Sequence, residues 1–138
     1  MAQVPRGPAI KGISHVSLSV TDLERSLAFY RDVLNLDVFV EPFDATAFEG
    51  REVLLLAGRV VVNLQAHAAS DGSRFDPTRT GLDHLAFHVS DREALEAWVA
   101  WLDARGISRS EVKEGGGLGW MIEFRDPDGL QLELFTTR

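Results

Sequence analysis

Two stretches of this chain alternate apolar and polar residues in the same way. Ile13, Val16, Leu18 and Val20 interleave with Ser14, Ser17 and Ser19, and 69 residues later Leu82, Leu85, Phe87 and Val89 repeat the design. Period-two alternation of this kind predicts a half-buried strand in each place. After each strand comes a helix-start signal, Thr21-Asp22-Leu23-Glu24 and then Ser90-Asp91-Arg92-Glu93. Both read as capping boxes, with the hydroxyl and the glutamate satisfying free amides of the first turn. Leu23, Leu27, Tyr30 and Leu34 recur at helical spacing, predicting a helix over 22–34 that stops at Asn35. Leu95, Trp98, Trp101 and Leu102 do the same over 91–105, ending before Gly106.

The stretches after each helix complete the repeat. Three strands are expected in the first copy, at about 36–41, 46–57 and 59–66, the last two hinged at Ala57-Gly58. In the second copy a strand is expected near 107–112, then a hairpin of 120–125 and 130–135 around Asp126-Pro127-Asp128-Gly129. Gly115 to Gly119 reads as a plain flexible loop, since no strand-to-helix context makes it a phosphate cradle. The order is βαβββ, linker, βαβββ, with module one at 13–67, the linker at 68–80 and module two at 81–136. A fixed internal repeat governs the whole architecture. Residues 1–12, with Pro5, Gly7 and Pro8, read as a loose arm.

Composition narrows the chemistry. The 138 residues suffice for one ordinary domain, and a 45% hydrophobic content is a globular value. There is no cysteine, so any metal must be held by imidazole and oxygen ligands, which suits iron, manganese, nickel or zinc. A net charge of −7 disfavours nucleic acid as a partner. No apolar run is long enough to cross a membrane, and the arm lacks the apolar core of a signal peptide, so a cytoplasmic location is expected. The repeat places His15 and His84 at equivalent points of the two copies, where a pseudo-twofold axis could bring them to one metal.

Three segments give the chain a family likeness: the His15 strand followed by Asp22 to Tyr30, the His84 strand, and Phe124 to Leu134 with its Asp126-Pro127-Asp128-Gly129 turn. Together they resemble the vicinal oxygen chelate superfamily, also called the glyoxalase/bleomycin-resistance/dioxygenase family. The resemblance implies an α+β fold of two tandem βαβββ modules whose mixed sheets curl into a cup around a divalent metal. It carries three ligands onto this chain: His15, His84 and Glu133. Such a set leaves coordination positions open to substrate or water. Glyoxalase I members have a fourth, glutamate ligand where this chain has Asn63, a poor metal ligand. Gln65 and His67 share the Asn63 face by alternation, and His67 could take the fourth place.

Other residues are candidates for the remaining roles. His88, four residues beyond His84, falls on the same strand face and could move protons. Glu123 stands where relatives often carry an aromatic residue toward the metal, and could act as general base; otherwise it points outward to a basic partner. Trp120 and Met121, with Phe39 and Phe48, could line the cup. Trp98 and Trp101 read as core or interface, and the Asp126–Gly129 turn as structural. The resemblance also implies a homodimer, with sites formed within one chain or across two.

The leading expectation is therefore a metal-dependent enzyme acting on a small oxygen-chelating substrate, as an extradiol-type dioxygenase or a lyase or isomerase. Thiol transfer to an epoxide ranks lower, because no cluster of cations for a phosphonate is evident. The alternative is a metal-free protein that sequesters an antibiotic or metabolite.

Overall fold

In the computed structural model, which describes residues 1–137, each repeat folds as a βαβββ module. Module one consists of β1 (His15–Ser19), α1 (Leu23–Ala28), β2 (Asp37–Asp44), β3 (Gly50–Ala57) and β4 (Val60–His67). Module two consists of β5 (His84–His88), α2 (Arg92–Ala104), β6 (Lys113–Glu114), β7 (Gly119–Arg125) and β8 (Gln131–Thr137). The fold is α+β with two four-stranded mixed sheets, ordered β1-β4-β3-β2 and β5-β8-β7-β6. In each, the first strand lies parallel to the last and the other pairs are antiparallel. Residues 1–12 are exposed and carry no helix or strand.

Two local expectations are corrected. The helix caps are aspartates, not the hydroxyl residues before them: Asp22 accepts from the Arg25 amide at 3.1 Å and Asp91 from the Ala94 amide at 2.7 Å. A carboxylate there also meets the positive end of the helix dipole. Thr21 is drawn elsewhere, its amide and hydroxyl both donating to Asp128, in the turn of the other module. The strand expected at 107–112 shrinks to β6, preceded by one isolated bridge between Arg109 and Phe124. At Ser110 the side-chain oxygen accepts the Glu123 amide that a ladder carbonyl would otherwise take. A local side-chain bond of that type interrupts strand pairing.

The first helix ends as the pattern requires. After Ala28 it widens into a π-helical stretch over Phe29–Val33, and Asn35 closes it at φ 58°, in the left-handed region that asparagine tolerates. Each helix packs on one face of its own sheet, and the two helix-bearing faces merge into one core. Leu18, Leu55 and Leu64 of module one join Leu95, Leu102 and Leu132 of module two in it. Each such leucine, fully withdrawn from water, contributes about 1.5–3 kcal/mol. Besides the Thr21–Asp128 bonds, further contacts pin the modules together. The Phe29 and Phe124 rings lie 6.4 Å apart, the Trp101 indole N–H donates to the Val33 carbonyl at 2.8 Å, and the Tyr30 hydroxyl donates to Asp126 at 2.8 Å.

This packing decides where the histidines go. Strand alternation puts His15, Ser17 and Ser19 on the face of β1 away from the core, and His84, Ala86 and His88 on the corresponding face of β5; all six are exposed. Each module therefore holds its helix inward and leaves the opposite sheet face open.

Candidate metal centre

On the open face of module two, parallel pairing sets His84 beside Gln131 and Ala86 beside Glu133. His84 Nε2 lies 3.4 Å from Glu133 Oε2. Its other ring nitrogen, Nδ1, bonds the Asp83 carboxylate at 2.8 Å. A carboxylate can only accept, so Nδ1 carries the hydrogen, and in neutral imidazole Nε2 presents its lone pair toward Glu133. Glu133 is only 6% exposed, and its side-chain hydrogen-bond donor is the neutral Gln131 amide, at 3.0 Å. Two lone pairs facing each other at this distance, one on a buried carboxylate, require a positive species. A proton on His84 meets the need: the hydrogen bond to Asp83, with Glu133 nearby, pushes the His84 pKa above its ordinary value. A divalent cation meets it equally well, and an imidazole anchored through its second nitrogen is the usual form of a metal ligand.

The remaining carboxylate of this face is Glu123. Register places it directly across from Glu133, on the same side of the sheet. It does not stand alone there, because Lys113 of β6 reaches it at 2.9 Å. Lys113 pairs with Met121, two residues before Glu123, which fixes it to this face. Sequence reasoning missed Lys113 as a member of the site; the glycine-rich turn between β6 and β7 was the signal that could have folded it back.

Module one offers a neutral counterpart. Its register pairs Ser17 with Asn63 and Asn63 with Leu54, so Asn63 occupies the place of Glu133, and Leu54 that of Glu123. Both carboxylates of module two thus have uncharged equivalents. Among the described residues the buried Asn63 amide oxygen has no hydrogen-bond partner. Gln65 donates to Glu52 at 3.1 Å, and the His67 ring stacks on Phe48 at 4.0 Å. The Ser14 hydroxyl bonds His15 Nδ1 at 3.0 Å, so a polar residue precedes and touches each histidine of the repeat.

Not every candidate shares this face. Trp120 turns to the helix-bearing side, where the Arg92 guanidinium sits 4.4 Å over its ring, while Met121 keeps to the open side and is buried. Alternation forbids the two from lining one wall. His88 lies further along β5, opposite Phe135. Together with His15 it borders a largely apolar cleft of about 830 Å³ between β1 and β5, lined also by Val16, Val62, Leu85 and Leu134. Among the described residues of one chain, no three histidine, aspartate or glutamate side chains gather closely enough to hold a metal ion. His84 and Glu133 come together; His15 does not complete their set within the single chain.

Fold and repeat register define the class, and comparison agrees. The model of the Glyoxalase/Bleomycin resistance protein/Dioxygenase superfamily matches residues 12–134, and the chain belongs to that superfamily. It is 30% identical over 128 residues to metallothiol transferase FosB of Staphylococcus epidermidis, covering 92% of this chain and 84% of FosB. It is equally similar, 30% over 127 residues, to the uncharacterized protein YaeR of Escherichia coli, covering 91% of this chain and 96% of YaeR. Among solved structures, a glyoxylase/bleomycin resistance protein/dioxygenase domain from Frankia sp. EAN1pec superposes with a TM-score of 0.84 at 31% identity. That match covers 94% of this chain and all of the Frankia chain.

Proposed function

We propose that the protein is a divalent-metal-dependent enzyme acting on a small molecule that chelates the metal through adjacent oxygens. The observation that carries this reading is the His84–Glu133 pair: an anchored imidazole and a buried carboxylate, 3.4 Å apart. The donor set fits iron, manganese, nickel or zinc, with no thiolate to favour softer ions. His84 and Glu133 of one chain, with His15 of a second copy, would hold the ion. The name of FosB, metallothiol transferase, joins a metal to that relative's chemistry.

A homodimer follows from the same reasoning. β1 and β5 are both sheet-edge strands with unpaired backbone groups, and the cleft between them is apolar. Edges and apolar clefts of this kind are normally covered. A second copy would cover them and bring its His15 toward His84.

When bound, the metal would polarise a substrate oxygen and stabilise the negative charge that develops there. The protein's own groups then divide the remaining work. Gln131 holds the Glu133 carboxylate and Asp83 fixes the His84 tautomer. Glu123, across from Glu133, accepts a proton from the bound molecule, and His88, further along β5 at the border of the apolar cleft, would serve as a second proton carrier. Asn63 and Gln65 contribute neutral polar contacts to the opposite wall, with Met121 beside Glu123. The missing fourth carboxylate, Asn63 in place of glutamate, separates this site from the glyoxalase I pattern.

The test is elemental analysis of protein purified without added metal or chelator, beside His84→Ala, Glu133→Gln and His15→Ala. Near-stoichiometric metal is expected in the parent and a loss of at least tenfold in affinity in each variant. Mixing the His15→Ala and His84→Ala chains would restore one intact site per mixed dimer if the set is shared, and none if it is internal. No metal in the parent, and none taken up on titration, would sink the enzyme reading and favour a metal-free binder of aromatic metabolites.

A further inference from the structure

The two halves of the repeat are unequally prepared to hold an ion. In module two Asp83 fixes the His84 ring through Nδ1 at 2.8 Å, Gln131 holds Glu133 at 3.0 Å, and the two donor atoms already stand 3.4 Å apart. Module one has no such pair. His15 is exposed on the edge strand β1, a neutral Ser14 hydroxyl bonds its Nδ1, and Asn63 takes the place of Glu133. Among the described residues, no third histidine or carboxylate of the same chain joins His84 and Glu133 closely enough to hold an ion. Two protein donors hold a divalent ion weakly; a third makes the set of a resident metal.

We propose that metal uptake and dimerisation of this protein are one linked equilibrium. His84 and Glu133 of the separate chain take the ion first, and assembly with His15 of a second copy decides which ions stay. The inference rests on the shared-site reading above. Linkage is reciprocal, so whatever factor the His15 imidazole adds to metal affinity, the metal adds to association of the chains. A twofold dimer has two such sites, and the factor enters twice. About tenfold per site becomes about a hundredfold in the dimer dissociation constant. The apolar cleft that His15 borders, about 830 Å³, supplies the part of the association that needs no metal. Selectivity follows from the third ligand. Imidazole nitrogen suits manganese, iron, nickel and zinc, whereas magnesium and calcium take oxygen. Magnesium at His84 and Glu133 gains nothing from a second copy and leaves association unchanged.

The experiment is sedimentation equilibrium of chelator-stripped protein over a dilution series, without metal and with zinc, manganese or magnesium, each beside a calorimetric metal titration. For the parent, zinc is expected to lower the dimer dissociation constant about a hundredfold, manganese to lower it less, and magnesium to leave it unchanged. His15→Ala should keep weak uptake at His84 and Glu133 and lose the metal effect on association. His84→Ala should lose both. If the parent dimer is too tight to dilute apart, exchange between differently labelled chains reads the same linkage as a rate slowed by zinc. Stoichiometric zinc with unchanged association and unchanged exchange would overturn the proposal. So would a zinc effect that survives in His15→Ala, or a magnesium effect equal to that of zinc, since either would reflect general charge neutralisation. Failure of the metal reading looks different: the parent takes up no zinc in the calorimeter, and the linkage falls with it.

Discussion

Tyr30→Phe removes one atom from the joint between the two modules. Tyr30 is fully buried, and its hydroxyl donates to Asp126 Oδ2 at 2.8 Å, linking the first helix to the turn between β7 and β8. The ring stays, so the change isolates the hydrogen bond. A hydrogen bond to a charged group is worth about 1.5–3 kcal/mol, and Asp126 would keep only its two amide donors, from Asp128 and Leu130. We expect a loss of about 2 kcal/mol at neutral pH. The pH dependence adds a sharper check. Burial pushes the Asp126 pKa above the usual 3.8, and the Tyr30 hydroxyl partly counters it. A carboxyl raised on folding binds more protons in the native state, so its contribution is greatest below the unfolded pKa and declines as pH rises through the folded one. Without the hydroxyl, Asp126 rises further and is more easily kept neutral. The cost of Tyr30→Phe should therefore be large at pH 7.5 and clearly smaller at pH 4. Urea unfolding at both pH values, with unchanged slope, measures it. A cost under about 0.5 kcal/mol at neutral pH, or one equal at the two pH values, would refute the reasoning.

Two further substitutions probe the frame that holds the site. A Cβ at Gly119 would lie 1.7 Å from the Thr136 carbonyl oxygen, so Gly119→Ala must push β7 off β8. A loss of about 3 kcal/mol is expected in denaturant unfolding, with weakened amide protection along β8 as its local signature. Asp91→Ala deletes the acceptor that caps α2 and should cost about 1 kcal/mol, read from the same unfolding curves and rescued by Asn.

Much of the fold was legible because its signals are local and stated twice. The alternating strands, the helical runs after them and the turn at Asp126–Gly129 each need only neighbours in sequence, and all reappear in the structure within a few residues. The caps misled because Thr21 and Asp22 are equally plausible until a distant Asp128 takes the threonine. Trp120 was a misreading of alternation itself, since it and Met121 cannot share a face.

By itself the sequence determined the two modules and which residues share a strand face. It also determined that any metal must rest on imidazole and carboxylate. Tertiary structure decided which faces meet. Strand register, set by pairing between segments tens of residues apart, put Glu133 near His84, Glu123 opposite Glu133, and Asn63 in the place of a carboxylate. Packing of the two helix-bearing faces into one core turned both histidine faces outward, and among the described residues of the single chain no three ligating side chains gather. Alternation fixes only the side of a strand; burial of the larger apolar face fixes where that side points.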